Sequence, residues 1–450
     1  MMQIHIGNRL TVTVEKLVHG GQGLARQAGR VIFIPEVLPG ETVQVEIREV
    51  KKDIAFARLI EVLNPSPHRI SPPCKIYSEC GGCQIQHIEG SNQLEIKNAL
   101  IREALHRIGR LTEIDLLPVI PSPSAYGYRT RVQLKVRQEN HRVRLGFYQQ
   151  SSHHHVPVEE CLVLHPELNK ILKPLEQVLS FEPFQTLKVL SVHLYFAAAT
   201  RQLLISLLPE TVPPDKNAGI RSVHNLKETG KTLYSKLREA IDSLSGLVFS
   251  PRNEPRQVFG NDFIEERFGG YLYRISGGSF SQINPVATNL LIQQMISFLD
   301  LTGNERVLEL HCGIGTFTLP MAARSAHLRG VDANRFAIED ARFNAGSHQV
   351  HRLEFICTDV EQGLRQSLAE GQRYDRLVLD PPREGLSQTE IDLIVQLAPP
   401  KMLYVSCEMA TLARDLQRFC KQGYRLGRLQ PVDMFPQTAH VELIAELLRC

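Results

Sequence analysis

The 450-residue sequence contains no tryptophan, and no stretch of it approaches the ~20 consecutive apolar residues that a membrane-spanning helix needs. Residues 1–16 alternate polar and apolar side chains and lack the apolar core of a secretory signal. Both absences argue against the membrane and secreted classes. We therefore expect a cytoplasmic protein with no membrane partner.

The sequence also has little net charge, because 51 basic residues face 48 acidic residues and leave +3. A large, uniformly basic surface would need a greater imbalance, so any nucleic-acid site must be local. Residues 126–145 hold six basic residues and one acidic residue, and Tyr126, Tyr128, Phe147 and Tyr148 flank them. This pattern suits single-stranded RNA, and a solvated strand face is the alternative. The basic residues are Arg129, Arg131, Lys135, Arg137, Arg142 and Arg144.

The nine cysteines are odd in number and unevenly spaced, which argues against a closed set of disulfides. Cys74, Cys80 and Cys83 are spaced as C-x5-C-x2-C. Cys161 is the only cysteine between this trio and the carboxy-terminal third of the chain, which makes it the natural fourth ligand. Four thiolates fit either a zinc ion or a [4Fe–4S] cluster.

The first two regions of the chain differ in pattern. Residues 1–62 contain short alternating or β-branched segments separated by glycine turns, which predicts a small, OB-like β-barrel. A proline-rich stretch at 64–73 begins a second region, 63–264, for which we expect a mixed α+β domain. Within that region a helix is predicted over 92–108, and residues 209–262 look loop-rich.

The third region, residues 265–450, alternates helical segments with short apolar strands. This alternation predicts an α/β domain with a parallel, doubly wound, Rossmann-like sheet. Ligands of such sheets bind beyond the carboxyl ends of the strands, so the residues that end each strand are the first candidates for a site.

Acidic residues and a glycine turn occupy those strand ends. The segment Glu309-Leu-His-Cys-Gly313-Ile-Gly315-Thr-Phe317 joins a strand to a helix and lets a ligand approach the backbone. It lacks the full glycine pattern of a dinucleotide site, while Asp332 and Asp359 end the next two strands. Acids without a phosphate cradle suit an adenosine ligand that has no phosphates, of which S-adenosylmethionine is the obvious one.

Two further strand ends carry groups able to do chemistry. In Asp380-Pro-Pro-Arg383 the two prolines predict a rigid turn at the edge of the ligand crevice, and the guanidinium group of the arginine could donate hydrogen bonds to a phosphate or a base. Cys407 ends the next strand and is a candidate nucleophile, although a lone cysteine there is often only a small buried apolar side chain. Glu442 is the candidate base for the proton that an adduct must later lose.

Together these motifs resemble the RNA uracil-C5 methyltransferases, and specifically the 23S rRNA type, which carries a TRAM domain and an iron–sulfur cluster. The resemblance covers nearly the whole chain. It is carried by His19-Gly-Gly-Gln-Gly-Leu-Ala-Arg26, the C-x5-C-x2-C trio with Cys161, Gly278-Ser-Phe-Ser-Gln-Ile-Asn284, Asp380-Pro-Pro-Arg383, Ser406-Cys407 and His440-Val-Glu442.

The resemblance implies a TRAM barrel over 1–62, an iron–sulfur and RNA-binding domain over 63–264, and a class I methyltransferase domain over 265–450. It implies Cys407 as the nucleophile, Glu442 as the base that removes the C5 proton, and a [4Fe–4S] cluster rather than zinc on the four cysteines. The residues that fall on the family's contacts to S-adenosylmethionine or the reacting base are Gln282, His311, Thr316, Asp332, Asp359 and Asp380.

Three positions depart from the family pattern. His311 stands where Phe or Tyr is usual, Asp332 where Glu is common, and Ser406-Cys-Glu-Met409 replaces Ser-Cys-Asn-Pro. The expected substrate is an unstacked uridine in RNA, with 23S rRNA favoured over tRNA, and the expected state is a monomer. A methyltransferase without covalent catalysis and a non-catalytic RNA-binding assembly factor are the alternatives.

Overall fold

The amino-terminal part of the chain is a curled sheet, in a computed structural model that describes residues 4–185, 187–209, 221–250 and 256–450. Its strands lie in the order β1-β5-β6-β4-β3-β2. Because β1 and β2 are opposite edges yet only two residues apart in the chain, the sheet has to close on itself as a barrel. The elements are β1 (Arg9–Thr13), β2 (Lys16–Val18), a 3₁₀ turn (His19–Gly21), β3 (Gln22–Gln27), β4 (Arg30–Ile34), β5 (Thr42–Val50) and β6 (Ile54–Asn64).

A second sheet of seven strands forms the middle of the molecule, in the order β10-β9-β8-β11-β12-β13-β14. Apolar residues of α2 and α4 pack on it; Leu168, Leu172 and Leu237 are all fully buried or nearly so. The elements of this part are α1 (Gly90–Arg107), β7 (Asp115–Leu116), β8 (Arg131–Glu139), β9 (Arg142–Tyr148), β10 (His155–Pro157), α2 (Pro166–Leu179), α3 (Glu182–Gln185), β11 (Val189–Ala197), β12 (Gln202–Pro209), α4 (Arg221–Ala240), β13 (Leu244–Phe249) and β14 (Gln257–Gly260).

The interpretation of residues 209–262 as loop-rich is wrong for the part that the structure describes. Helix α4 occupies twenty of these residues, and β13 and β14 follow it. The apolar periodicity of this helix is too weak to predict it, because most of its residues are polar. Among its described side chains, those of Leu233 and Leu237 are the fully buried ones. Tertiary packing on the sheet, rather than a broad apolar face, holds this helix. Residues 210–220 and 251–255 of the same stretch lie outside the described residues.

The third sheet has the order β19-β18-β17-β20-β21-β23-β22-β7. Strands β17 to β21 are parallel, whereas β23 runs antiparallel to both of its neighbours. Chain order reverses at β17, and ligands of such sheets bind beyond the strand ends at this point. The elements are β15 (Phe263–Phe268), β16 (Tyr271–Ser276), α5 (Pro285–Leu299), β17 (Arg306–Leu310), α6 (Thr318–Ala322), β18 (His327–Asp332), α7 (Arg335–Ser347), β19 (Leu353–Cys357), α8 (Val360–Ala369), β20 (Arg376–Leu379), α9 (Gln388–Leu397), β21 (Lys401–Ser406), α10 (Met409–Lys421), β22 (Tyr424–Val432) and β23 (Glu442–Arg449).

Helix α1 packs against this third sheet although it precedes the middle sheet in the chain. Its Leu100 and Ile101 share one apolar cluster with Leu412 of α10. Two polar residues on the same face are also buried. The amino group of Lys97 donates to a carboxylate oxygen of Asp433 at 2.6 Å, and the amide of Gln93 donates to the side chain of Gln437 at 3.0 Å.

These contacts anchor the loop between β22 and β23, which we call the catalytic loop (residues 433–441). The barrel reaches the same loop, because a Cβ atom added to Gly21 would lie 3.3 Å from the Cβ of Ala439. Lys16 of the barrel also pairs with Glu103 of α1 at 2.6 Å. Among the helices in the described ranges, none is long and apolar enough to cross a membrane.

Replacing Lys97 with Met should destabilise the protein by about 3–5 kcal/mol, because the buried carboxylate of Asp433 then has no cation. Urea unfolding measures the change in the free energy of unfolding. Lys170→Met is the matched control, since Lys170 forms an exposed pair with Glu167 and its loss should cost less than about 1 kcal/mol. Equal losses in the two variants would contradict a structural role for the buried pair.

Candidate active site

Four parallel strands end at one edge of the third sheet and bring their polar residues to it. His311 follows β17, Asp332 ends β18, Asp380 follows β20, and Cys407 follows β21. These four strands are consecutive in the sheet, in the order β18-β17-β20-β21. The predicted glycine loop, acids and cysteine therefore share one crevice, as expected for a doubly wound sheet.

The glycine loop is tied to the acid of the next strand. The backbone N–H of Gly313 donates to one carboxylate oxygen of Asp332 at 2.9 Å, and that of Asn334 donates to the other at 2.7 Å. Gly313 and Gly315 have φ values of 54° and 85°, a region that glycine enters without steric cost. The loop thus keeps its backbone, and Thr316 after it, close to the carboxylate.

His311 shares the left-handed conformation, with φ of 61°, although it is not a glycine. Such a conformation costs about 1 kcal/mol or more and tends to occur at functional sites. Its Nε2 atom is buried and has no hydrogen-bond partner among the described residues. Burial lowers the pKa of the imidazole, and Asp332 opposes this change only in part. The ring is therefore neutral at pH 7 and has one polar atom left for a ligand.

Buried carboxyl groups crowd the same edge. Burial raises the pKa of Glu309 to about 8, the charges of Asp380 and Asp332 add to the rise, and a hydrogen bond from Thr318 opposes it. The pKa of Asp380 rises to about 7 through burial and the neighbouring Asp332. Like charges in a poorly solvated site cannot all ionise, so the crevice holds protons at neutral pH.

Glu442 lies across the strand pair from Cys407. Strands β21 and β23 are antiparallel with Ser406 opposite Leu443, so the next positions along the two strands are Cys407 and Glu442. The Glu442 side chain is 3% exposed. Its pKa is raised well above the ordinary value by burial and by Asp380, and Arg383 opposes the rise.

The Cys407 thiol sits between negative and positive groups. Burial raises its pKa to about 11, and the charge of Glu442 contributes to the rise. Arg383 acts in the opposite direction, through its charge and through a hydrogen bond to the sulfur. Arg383 is thus the cation of the site that favours the thiolate. Glu408, the residue after Cys407, is paired with His19 of the barrel at 3.6 Å.

The other predicted cofactor residues take different places. Gln282 is 8% exposed, in a segment fixed by hydrogen bonds from Thr130 to the Ile283 carbonyl at 2.9 and 3.2 Å and from Asn284 to the Met434 carbonyl at 3.1 Å. That segment therefore contacts the catalytic loop. Asp359 is exposed and caps α8 by accepting the Gln362 N–H at 2.9 Å.

Sequence reasoning missed Lys97 and Gln93, which hold the catalytic loop. A signal for both exists in the sequence, because Gln93, Lys97 and Ile101 recur every fourth residue and so share one helix face. A lysine within the apolar face of a helix indicates a buried partner. Nothing in the sequence identifies that partner as Asp433, 336 residues away.

The four predicted ligand cysteines line one cavity of about 240 Å³. All four are free thiols, and burial raises the pKa of Cys80 to about 11 and that of Cys83 to about 12. Across the described residues, no group of three or more His, Cys, Asp or Glu side chains could hold a metal ion. Metal binding is therefore not shown, although the predicted cysteines do meet.

The strand residues of the basic stretch share one face of the β8–β9 hairpin, because they alternate along each strand and Arg137 lies opposite Arg144. Arg131 stacks on Tyr195 at 4.6 Å and on Phe280, close to Gln282, at 5.6 Å. Arg137 is exposed and pairs with Glu139 at 2.7 Å. Only part of the stretch therefore faces the candidate active site.

Comparisons with known proteins agree with this architecture. A TRAM domain model matches residues 4–60, which correspond to the barrel. The fold and the site define an S-adenosylmethionine-dependent RNA methyltransferase. The chain belongs to the tRNA (uracil-5-)-methyltransferase family, whose model matches residues 89–449.

Relatives span the whole chain. An uncharacterized RNA methyltransferase of Halalkalibacterium halodurans is 32% identical over 444 residues, which cover 97% of this chain and 96% of the relative. Another, of Aquifex aeolicus, is 35% identical over 452 residues, or 97% and 98% of the two chains. The structure of Pyrococcus abyssi tRNA (uracil-54, C5)-methyltransferase with S-adenosyl-L-homocysteine has the same fold, with a TM-score of 0.73 and 24% identity over 97% of this chain and 99% of that one.

Replacing Arg383 with Gln should raise the pKa of Cys407 further, because the cation that opposes the rise is lost. Alkylation of Cys407 at fixed pH should slow about tenfold or more, the effect of one pKa unit. Since the thiol pKa exceeds neutrality, the wild-type rate should itself increase as pH rises from 7 to 9. Iodoacetamide labelling followed by peptide mass spectrometry measures both rates. Arg373→Gln, an exposed change, is the control, and an unchanged rate in the Arg383 variant would refute the assigned electrostatic effect.

Proposed function

We propose that the protein transfers a methyl group from S-adenosylmethionine to C5 of a uridine in RNA through a covalent adduct of Cys407. The observation that carries this proposal is the proximity of Cys407 and Glu442. Cys407 directly follows β21 and Glu442 begins β23, next to the paired residues Ser406 and Leu443, and the charge of Glu442 acts on the thiol. A nucleophile and a base on facing strands suit a reaction in which a bond to C6 forms first and a proton leaves C5 last.

The chemistry requires both groups because C5 of uracil is a poor nucleophile. The thiolate of Cys407 adds to C6, and the electron pair of the C5=C6 bond moves into an enolate. C5 then attacks the methyl carbon, and the methyl–sulfur bond breaks to leave S-adenosylhomocysteine. Glu442 accepts the C5 proton, and the electron pair of that bond restores C5=C6 as the sulfur of Cys407 leaves. Every bond made to the enzyme is broken by the end of the cycle.

The protonation states of the free site have to change before reaction. Cys407 must lose its proton to attack, and Glu442 must be ionised to accept one, yet the pKa of each is raised by burial. Arg383 favours both ionised forms. We therefore infer that kcat/KM rises with pH through the neutral range, because higher pH increases the fraction of enzyme with both groups ionised.

The six remaining predicted site residues supply contacts to the cofactor or the base in this proposal. We assign the unpartnered Nε2 of His311 and the backbone of the glycine loop at Thr316 to the methionine end of S-adenosylmethionine. We assign the carboxylates of Asp332 and Asp359 to its ribose and adenine. Gln282 belongs to the segment that contacts the catalytic loop, and the charge of Asp380 acts on the Cys407 thiol, so we assign both to the reacting uracil. The target base must leave its stack to reach this crevice.

Replacing Cys407 with Ala should reduce methyl transfer about 10³-fold or more, because no adduct can form, while S-adenosylmethionine still binds. Replacing Glu442 with Gln should instead trap the methylated adduct, since the C5 proton has no acceptor. Denaturing gels of enzyme with labelled RNA detect the trapped species, and calorimetry detects cofactor binding. Cys450→Ala, at an exposed cysteine, is the control. Retained turnover in the Cys407 variant would favour a methyltransferase without covalent catalysis.

We propose 23S rRNA as the substrate, with the protein acting as a monomer. The support is the combination of a TRAM barrel with four cysteines on one cavity, which resembles the rRNA type. A tRNA uridine is the second candidate, because the solved structure of the same fold is described as a tRNA (uracil-54, C5)-methyltransferase.

Deletion of the gene should remove one 5-methyluridine from 23S rRNA and none from tRNA. Mass spectrometry of nuclease digests of the two purified RNA classes measures both, and expression of the wild-type protein, but not of the Cys407→Ala variant, should restore the modification. Loss from tRNA alone would transfer the assignment to that substrate.

We also propose that Cys74, Cys80, Cys83 and Cys161 hold a [4Fe–4S] cluster. Four thiols on one cavity of about 240 Å³ are the donor set that such a cluster needs, and a cluster of several irons keeps its thiolates farther apart than a single ion does. The group would fix the loop 74–83 to the middle sheet. Iron and sulfide content of anaerobically purified protein tests the assignment, and zinc in place of iron would overturn it.

A further inference from the structure

Arg129 lies beside the segment that follows Cys161. Its backbone N–H donates to the carbonyl of Val163 at 2.9 Å, and its carbonyl accepts the N–H of His165 at 2.9 Å. Two residues earlier in the chain, the backbone N–H of Gly127 donates to the carbonyl of Leu162 at 2.9 Å. Backbone pairing therefore fixes the Arg129 side chain next to Cys161, independently of any charge.

The side chain of Arg129 lines the same cavity as the four cysteines. Its Nε atom is buried and has no hydrogen-bond partner, and within the described ranges it forms no ion pair with a carboxylate. Two other arginines of the basic stretch do have such partners, because Arg137 pairs with Glu139 and Arg144 pairs with Glu176. Arg129 as a whole is half-buried, but its buried Nε–H is a donor without an acceptor, so an acceptor placed in the cavity would satisfy it.

We propose that Arg129 is the counter-cation of the cysteine-bound cluster, a positioning residue that sets the cluster's stability and reduction potential. The inference rests on the cluster assignment made above for the four cysteines. Four thiolates outweigh the positive charge of the cluster core, so the ligated cluster is an anion, and the unpartnered Nε of the Arg129 cation lies in the wall of its cavity. The Nε–H is free to donate to a ligand sulfur, which is a contact that tunes such clusters.

The charge of Arg129 already affects the nearest ligand. Burial raises the pKa of the Cys161 thiol, and Arg129 is among the groups that oppose this rise. The residue before Arg129 also connects the cavity to the reaction, because the hydroxyl of Tyr128 donates to the carbonyl of Pro436 in the catalytic loop at 2.9 Å. Tyr128 therefore joins the chain beside the cavity to the loop that leads to Glu442.

The test compares anaerobically purified wild-type protein with Arg129→Gln, Arg129→Lys and the control Arg201→Gln. Arg201 is an exposed arginine of the same sheet, and it pairs with Glu167 at 3.4 Å. The measurements are iron per chain, the rate at which a chelator bleaches the visible absorbance, and the reduction potential by redox titration. Far-ultraviolet circular dichroism checks that each variant is folded.

In Arg129→Gln the chelator should bleach the cluster about 10-fold faster or more, the usual effect of losing a partner of a metal ligand. The reduction potential should fall, because the lost positive charge favoured the electron-rich form. Arg129→Lys should restore the potential more than the bleaching rate, since it keeps the charge but not the planar donor. A merely structural arginine would leave the potential of a folded variant unchanged.

The outcomes separate the two proposals. Iron-loaded wild-type protein with an unchanged Arg129→Gln potential and bleaching rate overturns the role of Arg129 and leaves the cluster assignment standing. Wild-type protein without iron overturns both. Equal effects in Arg129→Gln and Arg201→Gln would also overturn the role of Arg129, because the change would then follow from general loss of positive charge.

Discussion

The crowding of carboxyl groups at one edge of the third sheet is the constraint on which the site depends. Glu309, Asp380 and Glu442 come from three different strands, and burial together with the charges of neighbouring carboxylates raises the pKa of each. Arg383 is the cation among them, and it acts on both Glu442 and Cys407. The site therefore holds protons in its free state, and one arginine favours the ionised forms of Cys407 and Glu442.

A second constraint is that Glu442, the first residue of β23, directly follows a loop whose position the strands alone do not define. The catalytic loop is fixed from three directions: by Lys97 and Gln93 of α1, by Tyr128 beside the cysteine cavity, and by Gly21 of the barrel. These contacts join all three parts of the chain at the residues just before Glu442. Events in the RNA-binding barrel or at the cysteines thus have a direct physical connection to the catalytic base.

Local pattern predicted the strands of the barrel and of the doubly wound sheet, because both have strong periodicity and clear glycine or acid positions at their ends. It failed for α4, a polar helix that packing holds in place, and residues 209–262 were interpreted as loop for that reason. It also missed the anchoring roles of Lys97 and Gln93, since the meaning of a polar residue on an apolar helix face depends on a partner hundreds of residues away.

By itself the sequence determined the family, the positions of Cys407 and the acids at strand ends, and the set of four cysteines that belong together. Residue type and spacing are sufficient for these predictions, and both can be read from the linear sequence. Only the tertiary structure decided that Glu442 faces Cys407, that the cysteines share a cavity with Arg129, and that Arg383 opposes the carboxyl groups. Register, burial and charge coupling arise from distances between segments remote in the chain. No local pattern encodes those distances.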